Sequence, residues 1–375
     1  MSLQRGRSGF PWGRLPIAEP HLPASGGEPV LPVSTFASGL ASDDDPHPYP
    51  GERPRGSFVV LGDEVLPLRW ECGEWRVRSR DREATPLSSW LDRHGQASLG
   101  ERSAILAYGS NVNPHQIGVF ARGRAVVVMQ ALTVGMSAVF CSTRRHDGQH
   151  PAGLMADDAQ RVELHGLLLV DDDQVADLDR KEGHGVRYLR GTVSGEHHSV
   201  AVLLENGRAI VDEITTYVQL NQRPLALING VPARLTDWSQ AEFEPADKRD
   251  THDHGFSVQE SDAEALNARV LPVFVYGTLR PGESRWPYVR DVVESTEDAA
   301  VVGRVFDTGL GYPALALDGS TRVAGVLLHL AASTADDAMA LLDEIEAHPN
   351  LYVRTLVRLV DGRLAWTYVW NGPPA

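Results

Sequence analysis

One pattern occurs twice in this chain, in the same order and at nearly the same spacing. Val273-Phe274-Val275-Tyr276-Gly277-Thr278-Leu279-Arg280 is an apolar run that stops at Tyr-Gly and passes into a polar turn. Ala104-Ile105-Leu106-Ala107-Tyr108-Gly109-Ser110-Asn111 has the same form. Each run reads as a short buried strand, because it is apolar and bounded by turn residues. Downstream lie Leu178-Asp179-Arg180-Lys181-Glu182-Gly183 and Leu342-Asp343-Glu344-Ile345-Glu346-Ala347. Glu182 follows Tyr108 by 74 residues and Glu346 follows Tyr276 by 70. Six residues beyond each glutamate stands a tyrosine, Tyr188 or Tyr352, and two further an arginine, Arg190 or Arg354. The period is too long for a solenoid repeat, so the pattern predicts a tandem duplication of small domains, each with its own core.

The recurring pieces carry a chemical reading. A glycine at the end of a buried strand lets the backbone bend and lets a ligand approach closely. Successive N–H groups after it can point at a carboxylate or an oxyanion. A single Tyr-Gly would read as a strand ending in a turn; two, each followed by a glutamate at matched distance, read as sites. A phosphate-binding loop is the competing motif, since Gly277 to Ser284 nearly fits G-x-x-x-x-G-K-[ST]. Glu283 stands where the lysine belongs and would repel phosphates, and Pro281 removes a donor N–H. The nucleotide reading is therefore rejected.

On these residues the sequence resembles the gamma-glutamylcyclotransferase-like family, whose members open with a strand and a Tyr-Gly-Ser/Thr-Asn/Leu loop and later carry a helix-borne Leu-Asp-x-x-Glu-Gly. The second copy is most similar to the gamma-glutamylamine cyclotransferase branch, through Tyr276 to Arg280, Gly311-Tyr312-Pro313-Ala314 and Leu342 to Arg354. The first, with Tyr108-Gly109-Ser110-Asn111, is more similar to the branch acting on gamma-glutamyl amino acids. The resemblance covers roughly 102–235 and 271–372. Ala347 departs from it, standing where the family usually has glycine. The resemblance implies two α+β domains, each a small mixed β-barrel-like sheet with a few helices. It implies Glu346 and Glu182 as catalytic residues that move a proton from the substrate's α-ammonium to the leaving nitrogen. Substrate-binding residues would be Tyr276, Gly277, Thr278, Leu279 and Tyr352 in one copy, and Tyr108, Gly109, Ser110, Asn111 and Tyr188 in the other. The substrate would be a small-molecule gamma-glutamyl amide, the product 5-oxoproline, and no metal or cofactor would be needed. A module that binds such amides without turnover stays open, as does one active copy beside one structural copy.

Along the chain, residues 1–56 are rich in Pro, Gly, Ser and Asp and read as a disordered or extended arm. Residues 57–101 begin with apolar runs broken by Gly62-Asp63 and Gly73-Glu74, expected as a β-meander packed on the first copy. The first domain is expected over 102–241, with helices over Pro114 to Ala121 and Asp171 to Lys181 and a closing loop and helix over Tyr217 to Trp238. Residues 242–270 read as a charged linker with a short helix from Ser261 to Arg269. The second domain runs over 271–375, with a helix from Thr334 to Glu346 capped by Thr334 or Ser333, and a hairpin turning at Asp361-Gly362. Asp171-Asp172-Asp173 reads as a helix N-terminus rather than a metal site. His252-Asp253-His254 reads as a solvated connector.

A net charge of −15 argues against nucleic-acid and anionic-membrane partners. Two cysteines, Cys72 and Cys141, rule out a disulfide framework and fit reduced thiols in a cytoplasm. Met1 to Leu22 has no continuous apolar stretch of the kind a signal peptide carries, and no segment has the apolar length a membrane span needs.

Overall fold

The structure is a computed structural model that describes residues 14–18, 30–39, 49–79, 84–158, 161–197, 199–262, 264–309 and 311–371, the side chains of 14–18, 318 and 319 excepted. Most of the expected N-terminal arm lies outside the described residues. The chain divides into two compact units, with described residues 30–268 in one and 14–18 with 269–371 in the other. Both are mixed α+β, built mostly of sheet with a few helices.

In the larger unit the Tyr-Gly strand Ser103–Ala107 is central. It pairs antiparallel with Val162–Val170 and parallel with Ile214–Gln219, where Thr216 faces Leu106. All five residues of this strand are buried. Their alternation shows why: Ala104 and Leu106 enter one apolar cluster, Ile105 and Ala107 another on the opposite face. A strand covered on both sides reads as an unbroken apolar run. The sheet continues through Val126–Val134 to the meander Phe58–Leu61, Glu64–Glu71 and Glu74–Arg78. The expected meander is thus part of the same sheet. On the other side the path runs through Tyr188–Gly195 to Phe256–Glu260.

Pro114–Ala121 is helical, and its N-cap Asn113 accepts from the His115 N–H at 3.0 Å. The helix Asp172–Glu182 starts from Asp171, whose carboxylate accepts from the Gln174 N–H at 2.9 Å. Gln174 returns the bond to the Asp171 N–H at 3.0 Å, so local side chains satisfy two end groups. The acidic triplet is therefore a helix start.

Three expectations for this unit change. Tyr217 lies in a strand, not a closing loop and helix, and the short helix near there is Gln240–Phe243. Within 242–270, Arg249–Thr251 pairs with Leu225–Ile228, and Phe256–Glu260 pairs with Tyr188–Gly195. Those residues are polar because both strands leave side chains in solvent, which in sequence looks like a linker. Among the described residues of 261–269 there is no helix; the Glu264 carbonyl instead accepts from the Ala104 N–H at 2.7 Å.

In the smaller unit one six-stranded sheet runs Arg14–Ala18, Tyr352–Arg358, Leu364–Trp370, Val273–Val275, Pro313–Leu330, Val293–Asp307. Again the Tyr-Gly strand is central, antiparallel to Pro313–Leu330 and parallel to Leu364–Trp370, with Phe274 facing Thr367. The two long strands shift register between Gly303 and Arg304. Val301 then bridges Leu359, and the Val360 N–H donates to Ala300 at 2.9 Å. The bulge bends the strand and brings it back to the hairpin, giving a half-barrel. Phe274, Leu315, Leu327, Val357 and Ala365 fill it. The helix Ala335–Ile345 crosses one end with Leu342 fully buried. Thr334 occupies its N-cap, but its side chain makes no capping bond.

Candidate functional site

Each glutamate lies at the end of a helix and shares a pocket with the Tyr-Gly loop of its own unit. In the smaller unit Glu346 caps the helix Ala335–Ile345, its N–H donating to Leu342 at 3.0 Å. Its carboxylate shares a pocket with Tyr276, Gly277, Thr278, Leu279 and Tyr352. In the larger unit Glu182 shares a pocket with Tyr108, Gly109, Ser110, Asn111 and Tyr188. All twelve residues singled out from the sequence thus gather in two pockets, one per unit.

Five bonds of the scaffolding recur in both pockets. The hydroxyls of Tyr108 and Tyr276 donate to the carbonyls of Tyr217 and Tyr368, at 2.6 and 2.9 Å. The hydroxyls of Tyr217 and Tyr368 donate to Asp179 and Asp343, both at 2.6 Å. Those aspartates pair with Arg190 and Arg354, both at 2.9 Å. Tyr188 and Tyr352 donate to the Ala152 and Pro313 carbonyls at 2.8 and 2.9 Å. Thr216 and Thr367 each donate to the Tyr-Gly strand at 2.9 Å. Tyr217 and Tyr368 went unnoticed in the sequence, although Thr-Tyr-Val at 216–218 and again at 367–369 is a legible signal.

The loop after each glutamate also repeats. Gly183 and Ala347 both take left-handed backbone angles, φ +66° and +50°. The following histidine N–H donates to Asp179 or Asp343, at 2.9 Å in each case. Ala347 therefore keeps the backbone path that Gly183 takes, at a conformational cost that glycine would not carry. Ala347→Gly is expected to stabilise this unit by about 0.5–1 kcal/mol, the relief exceeding the extra freedom of the unfolded chain. Urea denaturation measures it; a loss of stability would contradict the strain.

The glycines of the Tyr-Gly pairs serve a different purpose from the one read in the sequence. Gly109 has φ −117°, and Gly277 is not among the positive-φ residues. Close packing excludes a side chain instead. A Cβ on Gly277 would meet the Pro313 ring at 3.0 Å, and one on Gly109 would meet the Tyr49 hydroxyl at 2.7 Å. In both units the face of the glycine is roofed by protein.

The two carboxylates differ electrostatically. Glu346 is 9% exposed, and burial pushes its carboxyl up to about 7, with the Arg285 guanidinium pulling back. Arg285, missed in the sequence, lies against the Tyr312 ring at 5.4 Å and lines the pocket. Glu182 accepts from the Asn111 side-chain amide at 3.0 Å, and the Lys181 ammonium stands 3.3 Å from the same oxygen. The counterparts by position are apolar: Leu279 for Asn111 and Ile345 for Lys181. Glu346 has neither an amide donor nor a lysine at these positions; burial raises its carboxyl and the Arg285 guanidinium opposes it.

Among the described residues no group of three or more His, Cys, Asp and Glu side chains is placed to hold a metal ion. Neither the Asp171 triplet nor His252-Asp253-His254 forms one. No helix among them is long and apolar enough to cross a membrane. Cys141 is buried and Cys72 exposed, and both are free thiols.

Comparison with known proteins places a family on part of this chain. An uncharacterized protein from Homo sapiens is a solved structure similar to it, at 17% identity and TM-score 0.27, over 32% of this chain and 68% of that one. YkqA from Bacillus subtilis is similar at 13% identity and TM-score 0.24, over 73% and 86%. A structure described as a gamma-glutamyl cyclotransferase is similar at 16% identity and TM-score 0.28, over 40% and 92%. In sequence, the gamma-L-glutamyl-butirosin B gamma-glutamyl cyclotransferase of Niallia circulans is 33% identical over 108 residues, 26% of this chain. The chain spans 66% of the length of that curated relative. Residues 273–375, which include the Tyr276 loop and Glu346, match the family described as "Gamma-glutamyl cyclotransferase, AIG2-like".

Proposed function

We propose that this chain is a cyclotransferase that releases 5-oxoproline and a free amine or amino acid from a gamma-glutamyl amide. The observation that carries the reading is Glu346: a carboxyl raised to about 7 by burial, in one pocket with the Tyr276–Leu279 loop. A gamma-glutamyl amide holds its own nucleophile. Its α-ammonium must lose a proton, its nitrogen must attack the γ-carbonyl, and the C–N bond to the leaving amine must break with a proton returned to that nitrogen. A carboxyl that ionises near neutrality can take the first proton and give it back in the last step. The pocket supplies the rest by holding the folded conformer, which turns ring closure into a positioning problem. The loop N–H groups after Gly277 are the donors for the substrate carboxylate or the developing oxyanion. The atoms balance without a water, a metal or a covalent enzyme intermediate.

The repeated bond set supports a tandem duplication, with one copy in each unit. It extends the proposal to Glu182 and the Tyr108 pocket. The second pocket, which lies in the matched segment, takes a gamma-glutamyl amine; the relative's printed substrate is a gamma-glutamyl amide of that broad kind. A specific observation favours a second reading of the first pocket, as a binding module. Glu182 has one oxygen engaged by both Asn111 and Lys181, where Glu346 has neither.

The test is 5-oxoproline release from a panel of gamma-glutamyl amides by the wild type, Glu182→Gln, Glu346→Gln and the double variant. Independent sites leave each single variant with the other site's substrates and the double variant dead. A silent Glu182→Gln selects the binding-module reading. Full activity in the double variant, on a substrate the wild type turns over, sinks the glutamate mechanism.

A further inference from the structure

The first pocket has a wall that no part of the repeat supplies. Tyr49, from the segment before the meander, lines it together with Gly109 and Glu182. Its ring is buried, 9% exposed. The Tyr49 N–H donates to the Gln149 side chain at 2.8 Å, and the Gln149 amide donates to the Gly39 carbonyl at 3.2 Å. Further along, the Asn113 amide donates to the carbonyls of Ala37 and Glu52, at 2.7 and 2.6 Å. The Arg145 guanidinium lies over the ring, 5.5 Å from its centre. These bonds tie the segment to the elements that carry the Tyr108 loop.

The second pocket shows what this wall replaces. By the bond that Tyr188 and Tyr352 make, Ala152 and Pro313 are counterparts. Pro313 covers Gly277 with its own ring and has no N–H. Ala152 reaches over Gly109 only with its methyl, 3.4 Å from where a Cβ on the glycine would stand, and its N–H is available to donate. It donates to the Tyr49 hydroxyl at 3.0 Å, holding that oxygen over Gly109. Alanine in place of proline thus leaves room beside its methyl for the phenol and provides the donor that holds it there.

The hydroxyl so placed is not fully used. Tyr108, Tyr188 and Tyr217, the other tyrosines of the pocket, each donate to a protein acceptor. The Tyr49 oxygen accepts from Ala152, while its own proton has no acceptor among the described residues. Burial pushes this phenol up to about 12, so it keeps the proton near neutral pH. A buried donor without a partner is costly, and a ligand oxygen would relieve it.

We propose that Tyr49 is a ligand-contacting residue of the first pocket, donating from its phenol to an anionic or carbonyl oxygen of the ligand beside the N–H groups of the Gly109-Ser110 loop. The inference rests on the reading of that pocket as a gamma-glutamyl site and deepens it. The segment ahead of the repeat completes the first site, whereas the second is completed by its own Pro313. The two pockets consequently differ in what they offer the ligand at this point, a hydrogen-bond donor in one and an apolar ring in the other. That difference separates their ligands by polarity.

The test places a single 3-fluorotyrosine at position 49 of the full chain, which keeps the hydroxyl and marks the first pocket alone. 5-Oxoproline and γ-glutamylalanine are titrated while the 19F resonance and the heat of binding are followed. The resonance is expected to shift and saturate with the probe. Alongside, Tyr49→Phe in the Glu346→Gln chain, which keeps the ring, is expected to lower kcat/KM for γ-glutamylalanine about ten-fold, mainly through KM. Its melting temperature is expected to stay within about 2 °C. Heat without any shift at position 49 overturns the Tyr49 contact and leaves the gamma-glutamyl reading standing, as does an unchanged kcat/KM in the Phe variant. Neither heat nor shift with either probe removes the gamma-glutamyl reading and this inference together.

Discussion

Glu346→Gln is expected to lower 5-oxoproline release at the second pocket by about two to four orders of magnitude, the usual cost of losing a general base. Glutamine keeps the shape and the hydrogen bonding, so ligand affinity should change little. The same substitution should make the protein more stable at alkaline pH. In the folded chain the carboxyl titrates near 7, and in the unfolded chain near its ordinary value of 4.5. The folded state therefore holds the proton more tightly. The stability linked to this group is fully present below about pH 4.5 and is lost as pH rises through about 7. A shift of this size corresponds to about 3 kcal/mol at most. Glutamine has no charge to bury, so its stability should be nearly flat over that window. Urea titrations at pH 5 and pH 8 measure the difference; equal slopes for the wild type and the variant would show that the carboxylate is not held away from water. The wild-type rate should rise with pH through about 7, because the reaction begins with the ionised base.

The second large effect concerns the support under the loop. Asp343 accepts from the Tyr368 hydroxyl at 2.6 Å and from Arg354 at 2.9 Å. The Tyr368 carbonyl in turn accepts from the Tyr276 hydroxyl. Asp343→Ala breaks both side-chain bonds and leaves an arginine whose side chain is 14% exposed without this carboxylate. Removing one partner of a buried ion pair costs about 3–5 kcal/mol, and the partial exposure here places the expected loss at about 2–3. Activity at the second pocket should fall too, because Tyr276 is tethered through Tyr368. Asp343→Asn keeps an acceptor for the phenol and loses the charge, so its effect should be intermediate. Thermal melting together with 5-oxoproline release checks both parts. A stable but inactive Asp343→Ala would mean that the aspartate acts in the reaction rather than beneath it.

These variants draw on the same contrast between the two pockets. Glu346 is followed through its burial, Glu182 through its partners. An apolar Leu279 and Ile345 leave one carboxylate beside a single guanidinium, and Asn111 with Lys181 give the other a donor and a cation. The same loop and helix thus hold a buried carboxyl in one unit and a carboxylate engaged by an amide and an ammonium in the other.

Much of this was legible along the chain. The Tyr-Gly strands and the glutamate helices follow from local rules, and the residues gathered in each pocket are implied by the resemblance that the recurring pattern carries. An unbroken apolar run marks a strand covered on both faces, and an Asp-rich start followed by Leu at helical spacing marks an amphipathic helix. Because both pieces recur in order, the pairing of each glutamate with its own loop could be read before any coordinates. What the sequence left open depends on distant partners. The polar strands Arg249–Thr251 and Phe256–Glu260 read as linker because their pairing, not their composition, makes them sheet. The glycines read as turn residues, yet only the approach of Pro313 and Tyr49 shows that packing requires them. Tyr49 is 60 residues from Gly109 in the chain, and no periodicity links the two. The raised carboxyl of Glu346 depends on what surrounds it in space. Local sequence sets backbone preference and which face is apolar; burial, charge environment and the company of a side chain come from segments that only the folded chain brings together.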